Sequence, residues 1–336
     1  MSQFSEEQWD AFVRDHPLAS FFHRSAWRHV ASDVFGHPAH YLTEQRNGNI
    51  TAVLPLMEIR SRLFGHALIS TAFCVGGGPL ATDTGSFEAI LDRAETLGRK
   101  LRVDYIELRD LPSATRGWTA RDNLYAGFER PIAPAEDDNL KQIPRKQRAV
   151  VRKALAQGLT VSIETSTQAF YGLYARTMRD HGTPALPRRY FERVLSAFGS
   201  DCEILTVSSG GRPLSSVLSY FFRDRVMPYY TGSRPEARGC GANDLMYWAV
   251  MRRAVERGCE AFDFGRSKVG TGPYDFKRNW GFEPRPITHQ YRLLNSKALP
   301  NLNPTNQRYA ALIGAWRRLP LGVANGLSPL LSRSLG

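Results

Sequence analysis

The sequence predicts an α/β (α+β) protein in which a mixed, twisted sheet flanked by helices occurs twice. Three observations support this prediction. Helix-like and strand-like apolar spacings follow one another along the chain, their order before residue 140 begins again after residue 158, and a basic helical segment at 138–158 separates the halves. The halves share little residue-level identity, so the repeat is one of element order.

Two helices open the first half, and a hairpin follows them. Its turn is the polar run from Arg46 to Asn49, with strand-like segments on both sides. A glycine turn at 76–80 then leads to a further helix and strand. The elements predicted here are helices over 6–15 and 24–35, strands over 39–45 and 50–61, a helix over 86–101 and a strand over 104–110.

The second half repeats this order with a three-stranded meander at its centre. The helix after the meander ends at Gly258 and carries three arginines in its last turns, where positive charge suits the helix dipole. The elements predicted here are a strand over 159–165, helices over 166–181 and 187–198, strands over 202–208, 214–222 and 226–233, a helix over 243–257, a strand over 261–265, a short helix near 273–280 and a strand over 287–294.

We therefore predict an N-terminal domain over 1–140, a C-terminal domain over 141–297 and a helical tail over 298–336. The tail ends in WRRLPLGVANGLSPLLSRSLG, which has two internal prolines and no acidic residue. A helix folded back on the first domain is the preferred interpretation. An interfacial segment that touches a membrane is the alternative.

Composition favours an anionic partner. Lys and Arg number 44 against 32 Asp and Glu, which leaves a formal net charge of +12 and a pI near 9.8. Nucleic acid, a nucleotide diphosphate or an acidic membrane suits this excess, and a simple solubility balance explains it equally well. No apolar run approaches the ~20 residues of a membrane span, and the N-terminus lacks the order of a signal peptide. We therefore expect a cytoplasmic protein.

Metal-ligand spacings do not occur in the sequence. The histidines between 23 and 40 form no HExxH-like pair, and the cysteines are scattered. A cytoplasmic compartment would keep these thiols reduced. We expect no metal site, and we interpret the cysteines as structural: Cys74, Cys202, Cys240 and Cys259.

Most of the chemical information lies between Arg212 and Phe282. There a meander leads into a strand, a glycine-bearing loop, a helix, another strand and the short helix DFKRNWGF. This order resembles the N-acetyltransferase (GNAT) superfold, in which two splayed strands open a cleft for the acyl donor and a closing aromatic-x-x-x-Gly-Phe motif follows. The resemblance implies tandem GNAT-like acyltransferase domains.

The glycine-bearing loop is where coenzyme A would bind in that superfold, through a Gln/Arg-x-x-Gly-x-Gly/Ala motif at a helix N-terminus. In this chain one register places Glu236 at the basic position, and the other places Asn243 at the small position. The degenerate match weakens coenzyme A as the donor. A plain loop capped by Asn243 or Asp244 explains these residues equally well.

Further residues resemble the Fem-type (FemAB-like) aminoacyltransferase family. The matching positions are Tyr229, Tyr230, Thr231, Gly232, Phe262, Asp263, Phe264, Gly265, Gly272, Phe276, Lys277, Gly281 and the GGGPL turn at 76–80. The HGTP motif at 181–184 with the FDFGRS strand is most similar to FemAB-related proteins associated with exosortase (PEP-CTERM) and exopolysaccharide loci. The resemblance covers about residues 15–295 as element order, but its motifs lie almost wholly within 212–282.

The Phe276–Lys277 pair matches the catalytic Phe-Lys step of that family. A lysine supplies the fixed positive donor that the oxyanion of a tetrahedral intermediate needs, whereas a solvated lysine on a short amphipathic helix is the alternative. Asp263 is the candidate base, or else a helix cap or a partner of Arg266. Only one of two adjacent tyrosines on a strand faces the cleft, and we choose Tyr230 as the fourth candidate catalytic residue.

Three arginines share one helical face in the densest basic run of the chain. Such a face suits the phosphates of a nucleotide- or lipid-linked acceptor or of a transfer RNA. A solvated helix between domains is the alternative. The candidate substrate-binding residues are Arg145, Arg148, Arg152, His181, Arg238, Asn243, Arg266 and Trp280.

The leading hypothesis is an acyltransferase that transfers an aminoacyl or acyl group to an amine of a cell-envelope or exopolysaccharide-related precursor. The donor is an aminoacyl-tRNA, an acyl-CoA or an acyl-carrier, and no cofactor is assigned. The expected partner is an anionic small-molecule or lipid-linked precursor; transfer RNA and peripheral contact with the inner membrane stay open, and DNA is not expected. The alternatives are a coenzyme A or carrier-protein dependent N-acyltransferase and a non-catalytic module that binds an anionic polymer or RNA.

Overall fold

The structure is a computed structural model that describes residues 4–61, 65–111, 115, 117–298 and 307–333. The helices are α1 (Glu6–Asp15), α2 (Trp27–Phe35), α3 (Thr84–Leu101), α4 (Glu136–Gln142), α5 (Arg145–Leu155), α6 (Gln168–His181), α7 (Arg188–Phe198), α8 (Ala242–Glu256), α9 (Gly272–Asn279), α10 (Gln307–Arg317) and α11 (Leu321–Ser332). The strands are β1 (Ala39–Arg46), β2 (Asn49–Ser61), β3 (Gly65–Ser70), β4 (Leu80–Ala81), β5 (Tyr105–Arg109), β6 (Thr119–Pro131), β7 (Thr160–Glu164), β8 (Cys202–Ser209), β9 (Arg212–Phe222), β10 (Arg225–Ser233), β11 (Ala261–Lys268) and β12 (Pro284–Leu293).

Contacts divide the chain into two compact units that interleave in sequence. The first comprises residues 1–124, 286–303 and 333–336, and the second comprises 125–285 and 304–332. Residues 289–293 of β12 pair with β5, which explains why this late segment belongs to the first unit. The domain boundaries predicted at 140/141 and 297/298 stay predictions.

The first unit contains strands in the order β1-β2-β3-β5-β12, and β4 pairs with β2. β1 and β2 form the predicted hairpin around a turn of Asn47 and Gly48, both of which have positive φ. After the meander, α3 leads to β5, which runs parallel to β3. The apolar side of α3 packs on β1 and β2 through Ile90, Leu91 and Ala94, which are buried.

The second unit contains strands in the order β6-β11-β10-β9-β8-β7. Its antiparallel meander is β8-β9-β10, and α8 then leads to β11, which runs parallel to β10. Trp248, Met251 and Ala254 place the buried side of α8 in the main core of this unit. Both units therefore have a meander, a helix and a parallel strand, and the predicted repeat of element order is confirmed.

Two local features differ from the sequence prediction. β6 was not predicted, and its first half is polar and mostly exposed. The basic segment is not one helix, because Pro144 separates α4 from α5. Pro144 is the residue before the first turn of α5, where a proline is well tolerated.

The tail forms two helices, α10 and α11, which pack on α6 within the second unit. The predicted packing of the tail on the first domain stays a prediction. The backbone N–H of Ala185 donates to Ser328 Oγ at 3.1 Å, and Arg317 donates to the carbonyl oxygen of His181 at 3.3 Å. In the described part of the chain, no helix has the length and apolarity to cross a membrane.

Candidate active site

The two central strands of the second unit separate soon after they begin. β10 and β11 pair only at Arg225 with Ala261 and at Val226 with Phe262. Further along, β10 contains Pro228, which has no N–H to donate to a ladder, and its register against β9 shifts between Pro228 and Tyr230. The carboxyl ends of the two strands therefore splay, as the sequence predicts for an acyl cleft.

A bulge in β11 contributes to the same separation. The register of β11 against β6 shifts between Asp263 and Arg266, so that Phe264 and Gly265 lie opposite the single residue Phe128. Gly265 has φ +65°, a left-handed conformation that favours glycine. The bulge turns the backbone of β11 and presents several of its carbonyl oxygens to one side chain.

That side chain is Lys277, which α9 places against the bulge. Its Nζ donates to the carbonyl oxygens of Phe264 at 2.6 Å, Gly265 at 3.3 Å and Arg266 at 3.0 Å. Lys277 is 8% exposed, and Nζ lies 5.4 Å from the ring centre of Phe128. The sequence alternative of a solvated lysine is therefore wrong, since all three N–H bonds of the ammonium are directed at protein oxygens.

Lys277 and Asp263 form a coupled pair of titratable groups. Burial lowers the pKa of Lys277 to about 7, while Asp263 acts in the opposite direction. Burial likewise raises the pKa of Asp263 to about 6, against the Gly265 amide, which donates to its Oδ1 at 2.7 Å, and against Lys277. Near neutral pH, Asp263 is therefore poised to bind a proton and Lys277 to release one.

Aromatic side chains form the wall behind Lys277. Phe276 of α9 and Trp280, the residue after α9, pack against Tyr247 of α8, with ring centres 5.4 and 6.2 Å away. Phe264 of β11 contacts the same tyrosine edge-to-face at 4.8 Å. Tyr247 also hydrogen-bonds the side chain of Thr231 on β10, and burial raises its pKa to about 12. The wall keeps the charged pair in an apolar environment.

Asp244 joins three helices beside this wall. Its Oδ1 accepts from Trp280 Nε1 at 3.0 Å and from the amide of Gln147 on α5. Burial raises the pKa of Asp244, and these two hydrogen bonds oppose that effect. The cap of α8 is Gly241, with no side-chain hydrogen bond, so the prediction that Asn243 or Asp244 caps the helix is wrong.

Comparisons with known proteins agree with this geometry. Residues 141–278 match the family model described as an acetyltransferase (GNAT) domain. The lipid II:glycine glycyltransferase of Staphylococcus aureus is 24% identical over 222 residues, which cover 59% of this chain and 52% of that protein. A crystal structure of FemX superposes with a TM-score of 0.70 at 18% identity, over 88% of this chain and 97% of FemX.

The second half of the chain carries a GNAT domain, and the chain shares the fold of FemX. A tandem GNAT protein from the clavulanic acid biosynthesis pathway also shares the fold, with a TM-score of 0.53 at 14% identity over 86% of this chain and 94% of that one. The predicted fold class, tandem GNAT-like units of mixed sheet flanked by helices, is confirmed. The chain spans about half the length of the curated relatives it matches.

In the second unit the predicted arginine face lies on α5, next to Gln147. Arg145 and Arg152 are exposed, and Arg148 is partly exposed. Within the described ranges, no carboxylate comes within ion-pair distance of these three side chains. The α8 helix and α5 pack together, so the arginine face lies on the helix that Gln147 connects to Asp244.

The other predicted binding residues fall into two groups. Arg266 lies on the bulge with its guanidinium 4.4 Å from the ring centre of Tyr125, and Asn243 is in the first turn of α8. His181 ends α6, and Arg238 ends the loop before Gly239. Partial desolvation lowers the pKa of His181, and Arg317 and Arg238 lower it further, so these cations are electrostatic neighbours.

Tyr230 lies apart from the Lys277 group. Its hydroxyl is 3.1 Å from that of Tyr190, and its ring contacts Tyr174 and Phe191. These partners belong to α6 and α7, whereas the neighbouring Thr231 bonds to Tyr247 of α8. The structure therefore brings Lys277, Phe276, Asp263, Arg266 and Trp280 together and places Tyr230 on the other face of β10. The role of Tyr230 stays a prediction.

The sequence analysis considered Asp244 only as a possible helix cap, and it assigned no role to Gln147 or Tyr247. A buried aspartate in the first turn of an otherwise apolar helix was a visible signal, because such a group needs hydrogen-bond donors. Among the described residues, no three His, Cys, Asp or Glu side chains gather at one point as metal ligands.

Proposed function

We propose that this protein is an acyltransferase that transfers an aminoacyl group to an amine of a lipid-linked cell-envelope precursor. The observation that carries the proposal is the splayed β10–β11 cleft, with the partly buried Asp263 on β11 and the buried Lys277 of α9 bonded to the bulge of that strand. The curated relative is named a lipid II:glycine glycyltransferase. We favour a peptidoglycan-type precursor, while the exopolysaccharide and exosortase associations stay predictions.

The reaction requires one bond to form and one to break. The acceptor amine attacks the carbonyl carbon of the donor ester, and a C–N bond forms as the carbonyl oxygen becomes an oxyanion. The C–O bond of the ester then breaks, the leaving oxygen takes a proton, and the nitrogen loses one. Asp263, with its pKa raised to about 6, has a proton affinity suited to accepting that proton from nitrogen near neutral pH.

Lys277 stabilises the oxyanion in this proposal. Its three hydrogen bonds go to backbone carbonyls, and the bond to Gly265 is the longest at 3.3 Å. The hydrogen of this longest bond can be donated to an oxyanion instead, because an oxyanion is a stronger acceptor than a carbonyl oxygen. The aromatic wall strengthens the electrostatic attraction between the Lys277 ammonium and the oxyanion, because few water molecules screen the charge.

The arginine face of α5 would bind phosphates of the donor or the acceptor. Arg145, Arg148 and Arg152 have no carboxylate partner among the described residues, so their charge is available to an anion. We propose an aminoacyl-tRNA as the donor, since the loop at 236–243 matches a coenzyme A loop in neither register. The two alternatives, a coenzyme A dependent enzyme and a non-catalytic module, are not favoured by the named transferase relative.

We also propose a peripheral contact with the inner membrane on its cytoplasmic side. A lipid-linked acceptor is held at a bilayer, and an enzyme acting on it works at that surface. The strongly basic composition suits anionic lipid headgroups.

The proposed function is tested by supplying both kinds of donor to the purified chain. A mixed pool of charged transfer RNA or, separately, acetyl-CoA is incubated with lipid II or its water-soluble nucleotide precursor, and products are identified by mass. We expect an amino-acid mass increment only with transfer RNA, and a lower yield for Asp263→Asn. An acetyl increment alone would establish the coenzyme A alternative, and no increment with any acceptor would contradict acyl transfer to this class.

A further inference from the structure

The two C-terminal helices expose apolar side chains that a helix in water normally buries. Leu312 of α10 is 67% exposed and Leu330 of α11 is 68% exposed. Val323, Leu327 and Leu331 of α11 are between 41% and 48% exposed. The four α11 residues are spaced by four, three and one, which places them on one side of the helix.

The opposite side of α11 is made of small residues, and it is the buried side. Ala324, Ser328 and Ser332 are at most 2% exposed. Ser328 Oγ donates to the carbonyl oxygen of Ala324 at 2.7 Å and accepts from the backbone N–H of Ala185. Serine therefore faces protein while leucine faces outward, which is the reverse of the arrangement that stabilises a helix on a water-soluble surface.

The charged residues of these two helices and of the segments that flank them are all basic. No Asp or Glu occurs from residue 297 to the end of the sequence. Arg317 and Arg318 lie at the end of α10 and just after it, and Arg333 follows α11; Arg318 and Arg333 are exposed. An apolar stripe flanked by cations complements an anionic bilayer surface, where leucines enter the acyl boundary and arginines meet phosphates.

The same charges argue against a second copy of the chain as the occupant. A two-fold contact through the apolar stripe would bring the same surface of both copies together. Arg317, Arg318 and Arg333 of one copy would then approach those of the other, with no acidic residue of either tail to neutralise them. A membrane supplies both the apolar layer and the negative charge.

We propose that α10 and α11 form a membrane-docking surface that lies in the plane of an anionic bilayer and inserts Val323, Leu327, Leu330 and Leu331. α11 has 12 residues, too few to span a bilayer, so the helix lies along the interface. This inference rests on the peripheral membrane contact proposed above but not on the acyl-transfer chemistry.

The docking surface is close to predicted substrate-binding residues. Arg317 donates to the carbonyl oxygen of His181, and a Cβ at Gly182 would contact the side chains of Ile313 and Arg317. α10 thus packs on the end of α6, where the HGTP motif begins. A membrane bound by α10 and α11 would hold this end of the second unit near lipid headgroups.

Vesicle sedimentation of the full chain tests the proposal. Sucrose-loaded vesicles of phosphatidylcholine alone are compared with vesicles of equal parts phosphatidylcholine and phosphatidylglycerol. We expect binding to the anionic vesicles, and a loss of about tenfold or more in partitioning for Leu327→Ser/Leu330→Ser, because two leucines no longer enter the bilayer. Arg318→Ser should weaken binding to anionic vesicles only.

The control variant is Val161→Ser/Ile163→Ser, which replaces two side chains of similar exposure on β7 and should leave vesicle binding unchanged. Lys100→Ser removes one exposed charge from the first unit and controls for Arg318→Ser. The melting temperatures of the leucine variant and the wild type should agree, since the substituted side chains face outward. Equal vesicle binding by the leucine variant and the wild type overturns the proposal.

A further outcome separates the occupants. If light scattering shows that the wild type is a dimer and that Leu327→Ser/Leu330→Ser makes it monomeric, while neither binds vesicles, the stripe is a contact between copies and membrane docking is wrong. The vesicle assay needs no turnover, so its result does not depend on the proposed acyl transfer. Transfer to a water-soluble acceptor by the leucine variant should equal that of the wild type.

Discussion

The ammonium group of Lys277 donates a hydrogen bond of 2.6 Å to the carbonyl oxygen of Phe264, on the strand that bounds the acyl cleft. Two further carbonyls of the same bulge accept from it. Lys277 therefore fixes the shape of β11 in addition to carrying the charge that we assign to catalysis. A substitution at this position tests both roles.

Lys277→Met should lower both turnover and stability. The loss of one oxyanion donor typically reduces turnover by about 10²–10³. Buried carbonyls that lose their donor cost about 1–3 kcal/mol of folding free energy, which lowers the melting temperature. Turnover on any working donor and acceptor pair is compared with the melting temperature measured by calorimetry.

Lys268→Met, at the end of β11, is the matched control and should change neither quantity much. Lys277→Met with near-wild-type turnover, together with an inactive Lys268→Met, would move the catalytic assignment to residues 266–272. A stability loss without a turnover loss would leave Lys277 as a support of the bulge alone.

The pKa of Lys277 predicts how stability depends on pH. In the folded protein the pKa is lowered from 10.5 to about 7, so the unfolded chain binds more protons between these values. Stability therefore rises with pH above about 7, and the contribution is lost as pH falls through 7. Asp263 acts at lower pH: its pKa is raised from 3.8 to about 6, so its contribution is present below 3.8 and is lost as pH rises through 6.

Urea unfolding of wild type and Lys277→Met near pH 7 and near pH 9 measures this effect. We expect the free energy of unfolding of the wild type to rise by about 2 kcal/mol relative to the variant over this interval. Other titrating groups are common to both proteins and cancel in the comparison, except Asp263, whose pKa of about 6 lies below the pH interval measured. A parallel pH profile for the two proteins would show that Lys277 titrates with its ordinary pKa.

Gly232→Ala should destabilise the second unit. A Cβ at Gly232 would overlap the backbone nitrogen of Tyr174 and the carbonyl carbon of Leu173, so α6 would have to move off β10. Overpacking of this kind costs about 1–3 kcal/mol, and occasionally more. Gly172→Ala on α6 is the control, because its Cβ meets nothing within 4 Å and a helical alanine adds about 0.5–1 kcal/mol of stability. Equal melting temperatures for both variants would contradict the close packing.

The sequence predicted local elements well because their signals are local. The helix over 6–15 agrees with α1, whose Ser5 and Gln8 form a capping box, and the strands over 39–45 and 50–61 agree with β1 and β2 within one residue. β6 was missed because its first half is polar and because its partner strand β11 lies far along the sequence, with Pro131 opposite Ala261.

The sequence predicted only part of the site, because only some of its residues lie in local motifs. The Phe276–Lys277 pair and Asp263 lie in motifs that a sequence displays, whereas the contacts of Asp244 with Gln147 and Trp280 join residues 97 and 36 positions apart. The outward-facing leucines of α11 were also invisible, since periodicity shows that a helix has an apolar side but not which side meets protein.

The arginine face of α5 predicts a salt-dependent affinity for phosphate-rich ligands. Arg145, Arg148 and Arg152 are at least partly exposed, and an anion that they bind releases counterions from its phosphates. Affinity for a mixed transfer-RNA pool should therefore fall as salt rises. Replacing all three by Ser should flatten the slope of log affinity against log salt by roughly 0.7–0.9 for each phosphate that the variant no longer neutralises.

A control variant with Arg14, Arg46 and Lys100 replaced by Ser removes the same charge from exposed positions of the first unit. It should lower affinity slightly through the net charge while keeping the slope, because a residue outside the phosphate site neutralises no phosphate of the ligand. Fluorescence anisotropy of labelled transfer RNA, repeated at several salt concentrations, gives both quantities. If the α5 variant and the control have the same slope as the wild type, the arginines of α5 serve solvation and the phosphate site lies elsewhere.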